Sequence, residues 1–134
     1  MARYLFDTNH LSAAIDDDAG VRERISQLRR SGHRLGTCVP VLCELEVGLL
    51  RTRHREHNRR ILTTLLWQIR TWPLEPPTAP IYAEIYHDLR ARGRVLSQVD
   101  MMLAALSRLL DATLLTDDRD FDALSDLRVE NWLR

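Results

Sequence analysis

The sequence predicts an α/β protein: a single domain over residues 1–134, built on a central, mostly parallel twisted sheet of four to five strands with helices on both faces. Two short apolar runs, Tyr4-Leu5-Phe6 and Thr113-Leu114-Leu115-Thr116, have the length and the aromatic or β-branched character of buried strands. The stretches between strands carry apolar residues at helical spacing, as at Val21, Ile25 and Leu28. The two patterns alternate. A helix between consecutive strands makes those strands parallel and lays helices over the sheet.

Taken in order, Tyr4 to Phe6 forms the first strand and ends on Asp7-Thr8-Asn9, as a strand does when it emerges into a loop. His10 to Ile15 reads as a short helical turn before the acidic run Asp16-Asp17-Asp18. A helix fits Ala19 to Ser31, with Gly32 as its stop. Arg34 to Val39 is a short strand, and Thr37 to Pro40 opens the next helix, which continues through Leu42, Leu45 and Leu49 and carries Glu44 and Glu46. Gly48 lies one turn beyond Glu44, where glycine costs about 1 kcal/mol against alanine, which points to close packing on that face. An arginine-rich segment leads into a helix through Ile61, Leu62, Leu65, Leu66 and Ile69. Trp72 to Glu75 is read as a strand, and Pro73, Pro76, Pro77 and Pro80 mark breaks and a loop. Ile81 to Arg92 and Val99 to Leu110 are amphipathic helices, the first stopped by Gly93 and the second preceded by Ser97. After the strand Thr113–Thr116, a short helix around Phe121 to Leu124 and a strand near Arg128 to Trp132 complete the chain.

Composition narrows the function classes. No apolar run approaches the roughly 18 residues that span a bilayer. The N-terminus lacks the regions of a signal peptide, since an acid arrives at Asp7. Both features lead to an expectation of a cytoplasmic chain with no membrane partner. Cys38 and Cys43 have no His or Cys cluster around them, match neither a zinc site nor a redox CxxC, and are expected to be small buried apolar residues. Basic and acidic residues balance at 19 each, so the overall charge advertises no polyanionic partner. Every basic residue is arginine, which excludes any mechanism needing a catalytic lysine. Arginines crowd the segment Arg51, Arg53, Arg55, Arg59 and Arg60, with a smaller group at Arg29, Arg30 and Arg34. A solvated helical face accounts for such runs, and bidentate binding of phosphate is the functional alternative.

Four acids stand out. Asp7 and Asp118 follow the two clearest strands, and the carboxyl ends of strands in an open parallel sheet are where ligands collect. Asp100 opens a helix that begins beside that edge, and Glu44 lies on an otherwise apolar helical stretch. Each has a plain alternative. Asp7 caps a helix or starts a turn, Ser97-Gln98-Val99-Asp100 is a capping box, Glu44 pairs with an arginine, and Asp118 is a turn residue beside Asp117, Asp120 and Asp122. Converging carboxylates repel unless cations are present, and an all-oxygen donor set suits Mg²⁺ or Mn²⁺.

The ordered set resembles PIN-domain nucleases, in particular the VapC-type toxins of bacterial toxin–antitoxin pairs. Phe6-Asp7-Thr8-Asn9 is similar to that family's opening motif, and Glu44-Leu45-Glu46-Val47-Gly48 to its second, an acid four residues before a glycine. Val99-Asp100-Met101-Met102-Leu103-Ala104-Ala105 resembles the third, and Leu115-Thr116-Asp117-Asp118-Arg119-Asp120-Phe121 the fourth. The resemblance runs the length of the chain and implies a three-layer α/β/α fold. It makes Asp7, Glu44, Asp100 and Asp118 the catalytic, metal-holding acids, with Asn9 and Thr116 as hydrogen-bonding support and Asp117 ranked below Asp118. It further implies a Mg²⁺- or Mn²⁺-dependent ribonuclease, homodimers, and a cognate VapB-like antitoxin that binds DNA. Arg51, Arg53, Arg55, Arg59 and Arg60 are the candidates for gripping RNA.

Several rivals share parts of this pattern. A haloacid-dehalogenase-type phosphatase wants a second acid two residues after Asp7, where this chain has Asn9, and a receiver domain wants a lysine. A PIN-like module that binds RNA or protein without cutting is expected to lack one or more of the four acids, and all are present. A DNA-directed nuclease of the same fold stays open, because phosphodiester chemistry does not itself choose the sugar.

Overall fold

The computed structural model describes residues 1–133; Arg134 and the side chain of Asp18 lie outside the described residues. The strands are β1 (Arg3–Phe6), β2 (Arg34–Thr37), β3 (Arg70–Thr71), β4 (Thr113–Leu115) and β5 (Val129–Glu130). The helices are α1 (Thr8–Asp16), α2 (Val21–Arg30), α3 (Val39–Leu50), α4 (Arg55–Gln68), α5 (Thr78–Ala91) and α6 (Gln98–Leu110). The strands make one sheet in the order β3-β2-β1-β4-β5, with every pairing parallel. Leu5, Phe6, Leu114 and Leu115 on the two central strands are fully buried, as expected where helices cover both faces.

The chain leaves β1 toward β2 and β3, then returns to β4 on the other side of β1. That reversal opens a crevice beyond the carboxyl ends of β1 and β4, the place where open parallel sheets collect ligands.

Four expectations need correction. The first concerns Gly48, which is exposed on α3 with nothing among the described residues within 4 Å of where a Cβ would sit, so close packing does not explain the glycine. The third strand is Arg70–Thr71, two residues earlier than expected, because these residues pair with Gly36 and Thr37 and the Trp72 amide donates to the Thr37 carbonyl at 2.9 Å. Pro73 has no N–H and ends the ladder there. Val39 opens α3 instead of ending β2, with Pro40 in the first turn, where its missing N–H costs nothing. Cys38 is buried as expected, but Cys43 is exposed on α3.

Gly36 explains how the edge strand fits. A Cβ added there would lie 2.5 Å from both the Arg70 carbonyl oxygen and the Trp72 ring. Gly36→Ala is therefore expected to destabilise the fold by about 1–3 kcal/mol through overpacking, read as a lower urea midpoint at unchanged m-value. An unchanged midpoint would mean that β3 moves aside freely.

Candidate active site

The sheet places two of the acids. Phe6 and Leu115 are in register, and the Asp7 amide donates to the Leu115 carbonyl at 3.1 Å. The residues following β1 and β4 thus emerge side by side at the crevice. α6 leads into β4 and runs antiparallel to it, so its first turn, with Asp100, begins at the same edge. α3 leaves β2 there too and carries Glu44 in its second turn. The four carboxylates share one field. Asp100 is pushed up to about 6, chiefly by burial, against a hydrogen bond with Ser97 and with added repulsion from Asp118, Glu44 and Asp7.

Local hydrogen bonds hold each acid. Asp7 caps α1: its Oδ1 accepts from the His10 amide at 2.8 Å and contacts His10 Nδ1 at 3.0 Å. His10 is fully buried, and its Nε2 accepts from the Trp132 amide at 3.1 Å. With Nε2 accepting, the ring proton sits on Nδ1 and is donated to Asp7, so the contact is a hydrogen bond of a neutral imidazole. The second oxygen, Oδ2, makes no hydrogen bond among the described residues. Glu44 Oε1 accepts from the Thr8 hydroxyl at 2.7 Å. The Asp118 amide donates to Thr116 Oγ1 at 3.1 Å, and Asp118 Oδ1 caps a 3-10 turn by accepting from the Asp120 amide at 2.9 Å. Ser97 caps α6 by accepting from the Asp100 amide at 3.1 Å.

The supporting residues divide. Thr116 is buried and touches Asp118, whereas Asn9 donates to exposed Asp117 at 3.1 Å and so holds the rim of the crevice. The arginines divide as well. Arg51, Arg53 and Arg55 are exposed where α3 passes into α4. Thr52, between the first two, lines a crevice of about 140 Å³ with Thr8, Glu44 and Asn58. Arg59 is engaged by both oxygens of Glu46, at 2.9 and 2.6 Å, and Arg60 lines a groove between α2 and α4.

The PIN domain family model matches residues 4–127. The chain belongs to the PIN domain family.

Curated relatives match this PIN domain from end to end. It is 24% identical over 130 residues to Ribonuclease VapC2 of Rickettsia felis, covering 96% of this chain and 97% of that protein. It is 23% identical over 134 residues to Ribonuclease VapC2 of Haemophilus influenzae, covering 99% and 100%. Among solved structures, VapBC2 from Rickettsia felis bound to a promoter DNA fragment superposes with a TM-score of 0.87 at 23% identity, over 97% of this chain and 98% of that one. DNA-bound VapBC from Salmonella typhimurium superposes at 0.85 with 21% identity, over 98% and 99%. These superpositions establish the fold: a PIN domain with, among the described residues, a five-stranded, all-parallel sheet and six α-helices.

The donor set of this PIN domain fits the divalent cation its family implies. Among the described residues no three His, Cys, Asp or Glu side chains close into a ready-made cage. Magnesium does not require one, because it keeps several waters and takes one or two carboxylates. A half-buried Asp100 facing three further acids is the kind of site that a cation relieves.

His10 and Thr8 have no assigned role in the sequence reading, although each touches a site acid. For His10, the i, i+3 spacing after a strand-ending acid was the available signal. His10→Ala would leave Asp7 Oδ1 short of a donor and the buried Trp132 amide without its acceptor. We expect a loss of about 2–4 kcal/mol in unfolding free energy, with His10→Gln recovering part of it, measured by chemical denaturation.

Proposed function

We propose that this chain is a metal-dependent endoribonuclease and the toxin of a toxin–antitoxin pair. The observation that carries the reading is the gathering of Asp7, Glu44, Asp100 and Asp118 from separate elements at the switch point of the sheet, with Asp100 raised chiefly by burial and further by the other three. The relatives matched over their full length are both Ribonuclease VapC2, which supports the same reaction.

The four acids would hold Mg²⁺ or Mn²⁺. When bound, the cation supplies an electrophile beside the scissile phosphate and offsets charge building on its oxygens. The chain's own residues keep that place in shape. His10 fixes the direction of the Asp7 carboxylate, Thr8 that of Glu44, and Thr116 that of the Asp118 backbone. Arg51, Arg53 and Arg55 are exposed next to Thr52 in the chain, and Thr52 lines a crevice with Glu44; guanidinium groups there would draw the RNA backbone toward an otherwise repulsive acidic cluster. Arg59 is already paired with Glu46 and contributes less.

The partners follow from the same likeness. Solved relatives are VapBC assemblies on DNA, which supports a VapB-like, DNA-binding antitoxin for this chain. Val39, Cys43, Val47 and Met102 form an apolar surface across α3 and α6, with Val39 56% and Val47 52% exposed, and that surface is the proposed homodimer face. Among the described residues no helix is long and apolar enough to cross a membrane.

The test is cleavage of total cellular RNA by the antitoxin-free protein, with Mg²⁺ or Mn²⁺ and with EDTA. Discrete products that vanish with EDTA are expected. Cleavage of single-stranded DNA alone would move the substrate, and cleavage of neither would leave a binding module.

A further inference from the structure

A larger cavity, of about 700 Å³, lies at the opposite pole of the sheet, where β2 and β3 begin. Its walls include Arg29, Arg30, His33, Arg34, Trp67 and Arg70, and no acid among the described residues. Arg29, Arg34 and Arg70 are exposed and make no side-chain hydrogen bond or ion pair among the described residues, and Arg30 has only a 3.8 Å contact with Glu23. Trp67 is 84% exposed. A chain with 19 acids and no net charge has ample means to neutralise four guanidinium groups, yet among the described residues no acid lines this cavity. Such a like-charged cluster is self-repelling until an anion arrives.

Two chemistries coincide here. Guanidinium groups grip phosphate oxygens bidentately, and an unburied indole is a platform on which a base stacks. An acidic peptide would satisfy the arginines with its carboxylates but covers Trp67 only where it also carries an aromatic residue, whereas every nucleotide brings a phosphate and a flat base together. Geometry selects a chain over a free nucleotide. α4 runs from the crevice beside Glu44, where Asn58 lies, to Trp67 at this pole. Its 14 residues span about 21 Å. A groove along it shares Ser26 and Gln68 with the cavity and adds His57 and Arg60.

We propose that the arginine–tryptophan cavity is a second nucleic-acid site, which holds a single-stranded stretch of RNA some distance from the bond that is cut. As a substrate site it rests on the ribonuclease reading. It anchors long RNAs by phosphate contacts from Arg29, Arg34 and Arg70 and by one base on Trp67.

The experiment measures binding of a labelled 16-nucleotide single-stranded RNA to the full chain in EDTA. Nothing is cut there, and the acidic crevice repels the probe. The triple variant Arg29→Ala/Arg34→Ala/Arg70→Ala is expected to bind at least about tenfold more weakly, with its salt slope reduced by about 2 for three lost phosphate contacts. Trp67→Ala is expected to lose about tenfold with the slope kept, and Trp67→Phe to retain affinity. Thermal melts check that the variants are folded. Equal affinities and slopes in wild type and both alanine variants would overturn the site. So would displacement of RNA by a poly-glutamate peptide that binds more tightly, or by 5′-AMP at matching affinity. With Mg²⁺ restored, the triple variant should lose kcat/KM on the 16-mer but not on a trinucleotide. Cleavage with unchanged variant binding removes the site and keeps the ribonuclease. RNA binding that depends on Trp67 without any cleavage keeps the nucleic-acid site and removes the ribonuclease.

Discussion

Asp7→Asn is expected to slow RNA cleavage by about a thousandfold or more while the protein stays folded. The substitution is nearly isosteric, and an asparagine Oδ1 still accepts from the His10 amide and ring, so the cap of α1 and the buried histidine survive. What disappears is the negative charge shared with Oδ2, the oxygen without a hydrogen bond among the described residues. Removing one preorganised electrostatic contact to a reacting centre costs about 3–4 kcal/mol, or about 10²–10³ in rate. Losing a charged ligand of the proposed cation belongs at or beyond the upper end of that range. Single-turnover cleavage at saturating Mg²⁺ checks the rate, and circular dichroism with urea denaturation checks the fold. Asp7→Ala is the poorer test, because it also removes the cap and strands His10. A folded Asp7→Asn protein cutting within tenfold of wild type would exclude Asp7 from the reaction.

The two strand-ending acids were legible because their signal is local: an apolar run stops, an acid follows, and a parallel sheet places such ends together. Asp7 and Asp118 also cap the elements that follow them, so the capping reading and the site reading were never exclusive. A cap uses one oxygen and leaves the other. The paired helix α5 and α6 was legible from apolar spacing, and α6 from the Ser97 cap as well. Features made by distant parts of the chain were not. The acceptor role of His10 depends on Trp132, 122 positions away. β3 is two residues long, too short to show any periodicity, and its place depends on Gly36. The arginines of the distal cavity come from α2, β2 and β3, so the sequence showed Arg29, Arg30 and Arg34 as a small group without Arg70 or Trp67 beside them. The pairing of Arg59 with Glu46 required the angle between α3 and α4.

Asp100→Asn is expected to stabilise the metal-free protein at neutral pH even as it removes activity. In the folded chain Asp100 is raised to about 6, whereas in the unfolded chain it returns to about 3.9. Between those values the folded state binds more protons than the unfolded state, so stability falls as pH rises through the window from about 4 to 6. Two units correspond to almost 3 kcal/mol, and partial solvent screening of a half-buried group brings the expected penalty to about 1–2 kcal/mol at pH 7.5. The loss of a negative charge in the first turn of α6 works against this by about 0.3–1 kcal/mol, and the relief of burial and repulsion is the larger effect. Asparagine should therefore unfold at higher urea than wild type at pH 7.5 in EDTA, with the advantage gone near pH 4. Added Mg²⁺ should reverse the order, because the cation stabilises wild type by binding the folded state and has less to bind in the variant. Parallel pH profiles for the two proteins in EDTA would mean that neither burial nor the neighbouring acids raise Asp100. In that case the cation would have no electrostatic strain to relieve at this edge of the sheet.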